Sequence, residues 1–142
     1  MQSNTSEEVD MAKAKKIKQL SFGMPDRTGL LSEITDALSG AKVNVSSICA
    51  YGMEGKAFFM LATDSNAKAK KALSRLGLNV KEEDVCAVEM PNKAGELQKV
   101  AKKIADAGIN INYLYGTTAA GKTAACVFSS ADDKKALKVI NK

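Results

Sequence analysis

Met24-Pro25-Asp26-Arg27-Thr28-Gly29-Leu30-Leu31 closes one apolar pattern and opens another. It returns 66 positions later as Met90-Pro91-Asn92-Lys93-Ala94-Gly95-Glu96-Leu97. The correspondence runs without a gap from about Leu20 to Thr63: Ala41 meets Ala107, Asn44 meets Asn110, Gly55 meets Gly121 and Lys56 meets Lys122. Apolar character agrees where identity fails, as in Phe22 with Val88, Ile34 with Val100 and Leu38 with Ile104. Self-similarity at one fixed offset means one supersecondary unit used twice. A lone unit of this size buries little surface, so two similar domains sharing a pseudo-symmetric seam are expected.

Before the turn, Leu20, Phe22 and Met24 alternate on one face of a strand that ends at Pro25. Asp26 or Thr28 supplies the first helix cap in this reading, and Gly29 takes backbone angles that a Cβ forbids. Leu30, Leu31, Ile34 and Leu38 form a helical stripe, with Gly40 at the C-cap. Val43, Val45, Ser47 and Cys49 alternate in a second strand, a hairpin follows at 52–55, and 57–63 is a third strand. A helix over 64–76 stops at Gly77, and 78–81 is a fourth strand. The second copy repeats the order. Cys86, Val88 and Met90 form its first strand, Leu97, Val100 and Ile104 its helix stripe, 109–115 and 121–129 its next strands, and 132–141 its last helix, with no fourth strand.

The expected fold is therefore α+β: two tandem βαββαβ ferredoxin-like units, each an antiparallel sheet with its helices on one face. The expected domains are a polar, disordered leader over 1–15, a first unit over 16–82 and a second over 83–142. The missing last strand predicts an open sheet edge that invites a partner or a dimer.

Composition narrows the function. The 142 residues carry 21 Lys and Arg against 16 Asp and Glu, a net charge of +5, with Lys spread over both halves. That spread reads as solvated helix faces, and a nucleic-acid partner is not expected. The absence of histidine removes the commonest general base and metal ligand. Cys49, Cys86 and Cys126 have no ligand-like spacing and sit in strand patterns, as buried thiols of a reducing cytoplasm do. No apolar run approaches a membrane span. No catalytic residue, metal or cofactor is assigned.

Two motifs invite overreading. Gly116 to Thr123 spells a phosphate-binding P-loop, G-x-x-x-x-G-K-[ST]. A real one joins a strand to a helix, whereas the matching segment of the first copy is a hairpin running into a strand. Phe58 and Phe59 lie where an RNA-recognition motif stacks bases, but adjacent strand residues point to opposite faces, which favours a core role.

The turn itself is the stronger candidate. A helix starting at a glycine turn offers free backbone N–H groups and the positive end of its dipole to a carboxylate. Asn44 and Asn110, opening each second strand, add an amide donor and acceptor. Together these complement a free amino acid. The same residues, with Ala41-Lys42-Val43-Asn44-Val45 and Ala107-Gly108-Ile109-Asn110-Ile111, resemble the ACT domain family across nearly the whole chain. That resemblance implies a non-catalytic, allosteric amino-acid-binding regulator with its ligand at the seam between modules. It implies ligand roles for Asp26, Arg27, Gly29, Leu30, Asn44 and Val45, and for Asn92, Gly95, Glu96, Asn110 and Ile111. It further implies a homodimer and a separate metabolic enzyme chain as partners.

Overall fold

The computed structural model describes residues 10–117 and 121–142. Its elements are β1 (Lys13–Pro25), α1 (Leu30–Gly40), β2 (Val45–Met53), β3 (Lys56–Thr63), α2 (Asn66–Ser74), β4 (Lys81–Pro91), α3 (Glu96–Asp106), β5 (Ile111–Thr117), β6 (Thr123–Ser130) and α4 (Asp133–Ile140). Two compact units emerge. One is Lys18–Glu83; the other is Asp84–Lys142 together with the described N-terminal residues 10–17.

In the unit 18–83 the strands run β2-β3-β1-β4. Both β1/β3 and β2/β3 are antiparallel, with Leu20 opposite Leu61 and Phe22 opposite Phe59. Leu20, Phe22, Phe59 and Leu61 meet Leu30, Ile34 and Leu38 of α1 and Leu73 of α2 in one core. The Phe22 and Phe59 rings stack at 5.1 Å. The β2–β3 connection turns on Glu54 and Gly55, with φ of 51° and 80°. Positive φ at both central residues matches the right-handed twist of a two-residue hairpin.

The unit 84–142 repeats this plan with β4-β6-β5, and its fourth strand is the start of β1. Ala12 and Ala14 pack against the core of Cys86, Val88, Val100, Ile104, Phe128 and Ile140. Asn141 clamps the segment: its Nδ2 donates to the Ala14 carbonyl at 2.8 Å, and its Oδ1 accepts from the Ala14 N–H at 2.7 Å.

Several sequence expectations are adjusted. Lys13, Ala14 and Lys15, expected in a leader, lie in β1, and residues 13–17 stand where a fourth strand was expected to be missing. The two strands expected at 78–81 and around Cys86 are one, β4. No Gly or Pro breaks Lys81-Glu82-Glu83-Asp84-Val85, so the chain stays extended. Pro25 pairs with Lys56, but Pro91 pairs with Thr123 rather than Lys122. The 66-residue offset thus becomes 67 after the β5–β6 connection. The helix caps agree: Ser65 accepts from the Lys68 N–H and Asp132 from the Lys135 N–H. Neither Asp26 nor Thr28 caps α1, which starts from Gly29 at φ 86°, as α3 starts from Gly95 at φ 88°. After α1 the left-handed residue is Lys42, not Gly40, and its counterpart is Gly108.

Candidate ligand-binding site

The β1–α1 turn of the first copy borders a cavity of about 280 Å³. Asp26, Arg27, Gly29 and Leu30 line it with Ala50, Tyr51 and Gly52 of β2. The Asp26 N–H donates to the Gly55 carbonyl at 3.0 Å, tying the turn to the hairpin. Gly29 then swings the chain into α1. The first N–H groups of a helix have no intrahelical acceptor, and no side chain caps them here.

Asp26 lies across from that helix start. A Cβ on Gly52 would stand 2.8 Å from Asp26 Oδ2, so the carboxylate rests over bare strand backbone. It takes no hydrogen bond or ion pair among the described residues. Arg27 pairs with Glu33 one turn into α1. Both partners are about half exposed, so the pair positions the guanidinium more than it stabilises the fold. Leu30 is buried in the core, while Leu31 stays 52% exposed beside the cavity.

Asn44 and Val45 lie elsewhere within this unit. The Asn44 N–H donates to Asp64 Oδ1 and its carbonyl accepts from the Asp64 N–H, both at 3.0 Å. Val45 pairs with Thr63, whereas Gly52, near the turn, pairs with Ala57. The seven positions from Val45 to Gly52 span about 23 Å of strand. The unit therefore brings Asp26, Arg27, Gly29 and Leu30 together and leaves Asn44 and Val45 at the opposite end of β2. Ala50, Tyr51 and Gly52 are lining residues that sequence reasoning missed. The signal lay in the pairing register, which the bulge between Val45 and Ser47 hides.

In the second copy the same turn is arranged differently. The Asn92 N–H donates to the Lys122 carbonyl and its Nδ2 to the Gly121 carbonyl, both at 2.8 Å. An aspartate could not donate that second bond, so Asp26 stays available where Asn92 is latched. Glu96 replaces Leu30, and its side chain is only 9% exposed, with Lys99 Nζ 2.9 Å away. A carboxylate of the chain itself thus sits in the first turn of α3. Asn110 and Ile111 again lie at the far end: the Asn110 carbonyl accepts from the Ala131 N–H at 2.9 Å, and Ile111 pairs with Ser130.

The P-loop pattern falls on the antiparallel β5/β6 connection, where Thr117 pairs with Ala125 and Thr123 already belongs to β6. Its residues 118–120 lie outside the described ones. The element that directly follows Lys122 is strand β6, whereas a true P-loop runs into a helix. No cluster of three metal-ligating side chains occurs among the described residues, and no helix there is long and apolar enough to cross a membrane.

The buried thiols are chemically quiet. Burial, reinforced by the charge of Asp133, pushes Cys86 up to about 12. Burial alone pushes Cys126 up to about 11. The thiolate is the nucleophile, so at pH 8 an aromatic disulfide reagent is expected to label only the half-buried Cys49 rapidly. All three should react after unfolding. Rapid native labelling of two or three thiols would contradict the burial.

A ferredoxin-like unit whose first helix starts from a glycine, used twice in tandem, defines the class of fold. The chain belongs to the ACT domain family, matching the ACT domain pair over residues 15–142. It is similar to the crystal structure of protein BT0572 from Bacteroides thetaiotaomicron, with 28% identity, 89% of this chain and 87% of that one covered, and a TM-score of 0.82. It shares its fold with the regulatory subunit of aspartate kinase from Thermus thermophilus, in a ligand-free form, at 17% identity, 89% and 93% coverage and a TM-score of 0.65. The corresponding subunit from Thermus flavus gives 18% identity, 94% and 96% coverage and a TM-score of 0.66. None of the curated proteins compared with the sequence matches it.

Proposed function

We propose that the chain is a non-catalytic, cytoplasmic amino-acid-binding regulator, with its ligand at the β1–α1 turn of the first copy. One observation carries this reading: the uncapped start of α1 and the unpartnered Asp26 carboxylate border the same cavity. An α-carboxylate complements the helix N–H groups and an α-ammonium complements Asp26. In the second copy, latched Asn92 and buried Glu96 make the turn less hospitable to an anion. Asn44, Val45, Gly95, Asn110 and Ile111 contribute in this reading where a second chain brings the start of its β2 or β5 to a turn. The aspartate kinase subunits of similar fold are regulatory by description, and a separate enzyme chain is the partner we propose here.

A metabolite sensor of this kind binds in the μM–mM range, about −4 to −8 kcal/mol. Thermal unfolding against each of the twenty amino acids, at millimolar concentration, tests it. One or a few should stabilise the chain, by about 2.7 kcal/mol at a hundredfold excess over Kd. Asp26→Ala, at an exposed position, should remove that gain and leave the unliganded melting temperature unchanged. Stabilisation by none of the twenty would overturn the reading.

A second reading, a dimerisation module with vestigial sites, is favoured by one recurrence. Leu31 and Ile48 are 52% and 41% exposed, and their counterparts Leu97 and Leu114 are 49% and 41% exposed. Ile48 and Leu114 lie on β2 and β5, the edge strands of their units. A stable dimer in solution with no response to any amino acid would favour it.

A further inference from the structure

We infer a second ligand site, on the helix-free sheet face of the first copy, built for a small flat aromatic anion. An open cleft of about 390 Å³ lies there, lined by Ser21, Gly23, Tyr51, Phe58, Asn79 and Lys81 among others. Tyr51 and Phe58 are direct cross-strand partners, and their rings stack at 5.3 Å. Gly23 is the partner of Phe58 on its other side. A Cβ there would lie 3.2 Å from the Phe58 ring, so the missing side chain lets the ring lie over backbone. The result is an aromatic floor, with Tyr51 still 46% exposed.

The fold does not require this floor. The core of the unit is filled from the opposite face by Phe22 and Phe59. Strand pairing identifies the second-copy equivalents without ambiguity: Glu89 pairs with Ala125, and Ala125 with Thr117. Thus Gly23 corresponds to Glu89, Phe58 to Ala125 and Tyr51 to Thr117. The second copy makes the same sheet with no aromatic ring at these positions and with a carboxylate at the one that Gly23 leaves bare.

Charge selects the occupant. Lys81 is the basic residue of the lining. It has no hydrogen bond or ion pair among the described residues. The acidic neighbour along β4, Glu83, accepts from Gln19 Nε2 at 3.4 Å. A flat ring stacks on Tyr51 and Phe58 with an offset or edge geometry, and its anionic group meets Lys81, with Asn79 and Ser21 as hydrogen-bonding groups. The volume suits one or two fused rings. Tyr51 lines both cavities, but neither Phe58 nor Lys81 lines the turn cavity, so the inference is separable from amino-acid binding at the turn.

The test is an NMR titration of the full chain with 2-naphthoate. Saturable shifts centred on Gly23, Tyr51, Phe58 and Lys81 are expected. Lys81→Gln, an exposed change that leaves the fold intact, should weaken binding about tenfold, as should Phe58→Ala. Uncharged 2-naphthamide and non-aromatic cyclohexanecarboxylate should each bind about tenfold more weakly. Absence of saturation to about 10 mM, a Kd beyond the range of specific small-molecule sites, would overturn the site. Equal binding of the amide, shifts confined to Asp26–Leu31, or a single-stranded oligonucleotide that binds this face uncontested by naphthoate would overturn it too.

Discussion

A chain that starts at Lys18 is expected to lose the fold of residues 84–142 while residues 18–83 stay folded. The segment 13–17 belongs to the C-terminal unit by contact, not to the unit that follows it in sequence. Its removal takes Ala12 and Ala14 off the core of Val88, Ile104 and Phe128. Both hydrogen bonds between Asn141 and Ala14 go with it, each worth about 1 kcal/mol net. β4 is left with a row of unpaired backbone groups, which invites aggregation. A unit of about 60 residues has only a few kcal/mol of stability in hand, so losing a strand unfolds it. Amide NMR of the truncated chain reads the result. Signals of residues 84–142 should collapse to random-coil positions while those of 18–83 keep their dispersion. Native dispersion throughout would show that β1 is dispensable to the C-terminal unit.

The same segment shows what the sequence could and could not disclose. The β1–α1 turns were legible because their signals are local: a strand that ends at Pro25 or Pro91, Gly29 or Gly95, then an apolar stripe. The start of β1 was not, because its partners Asn141 and β4 lie far along the chain and the residues packed inward there, Ala14 and the preceding Ala12, are small. A copy-by-copy reading expects a boundary within β4, although no residue at 81–85 breaks a strand. The slip from 66 to 67 was hidden by chance identities, Gly55 with Gly121 and Lys56 with Lys122, that hold the alignment in the wrong register through the hairpin.

The site divides along the same line. Asp26, Arg27, Gly29 and Leu30 are neighbours in sequence and line one cavity, so local reading groups them as the structure does. Tyr51 and Gly52 join them only through the pairing of β2 with β3, and Asn44 is carried away by that same pairing. Duplication explains why both turns look like sites in sequence. Single substitutions, Asp26 against Asn92 and Leu30 against Glu96, make them chemically unequal once the side chains are placed.

Gly116→Val is expected to destabilise the C-terminal unit by about 3 kcal/mol, at the upper end of overpacking costs. Gly116 lies opposite Cys126 in the β5/β6 ladder. A Cβ there would stand 2.8 Å from the Ala125 carbonyl oxygen and 2.9 Å from Cys126 Cβ. Neither neighbour is the tip of a flexible side chain, so β5 itself must shift, and Leu114 would be dragged off its partner Phe128 in the core. The equivalent position of the first copy, Ala50 opposite Phe59, carries a Cβ, so the demand for glycine is local to this crossing. Gly121, by contrast, has nothing within 4 Å of a Cβ among the described residues. The first glycine of the apparent P-loop is therefore fixed by strand packing and owes nothing to a phosphate. For a unit of this size the thermal midpoint should fall by about 10–20 °C. A loss of under about 1 kcal/mol would mean that β5 gives way easily, and the glycine would then need another explanation.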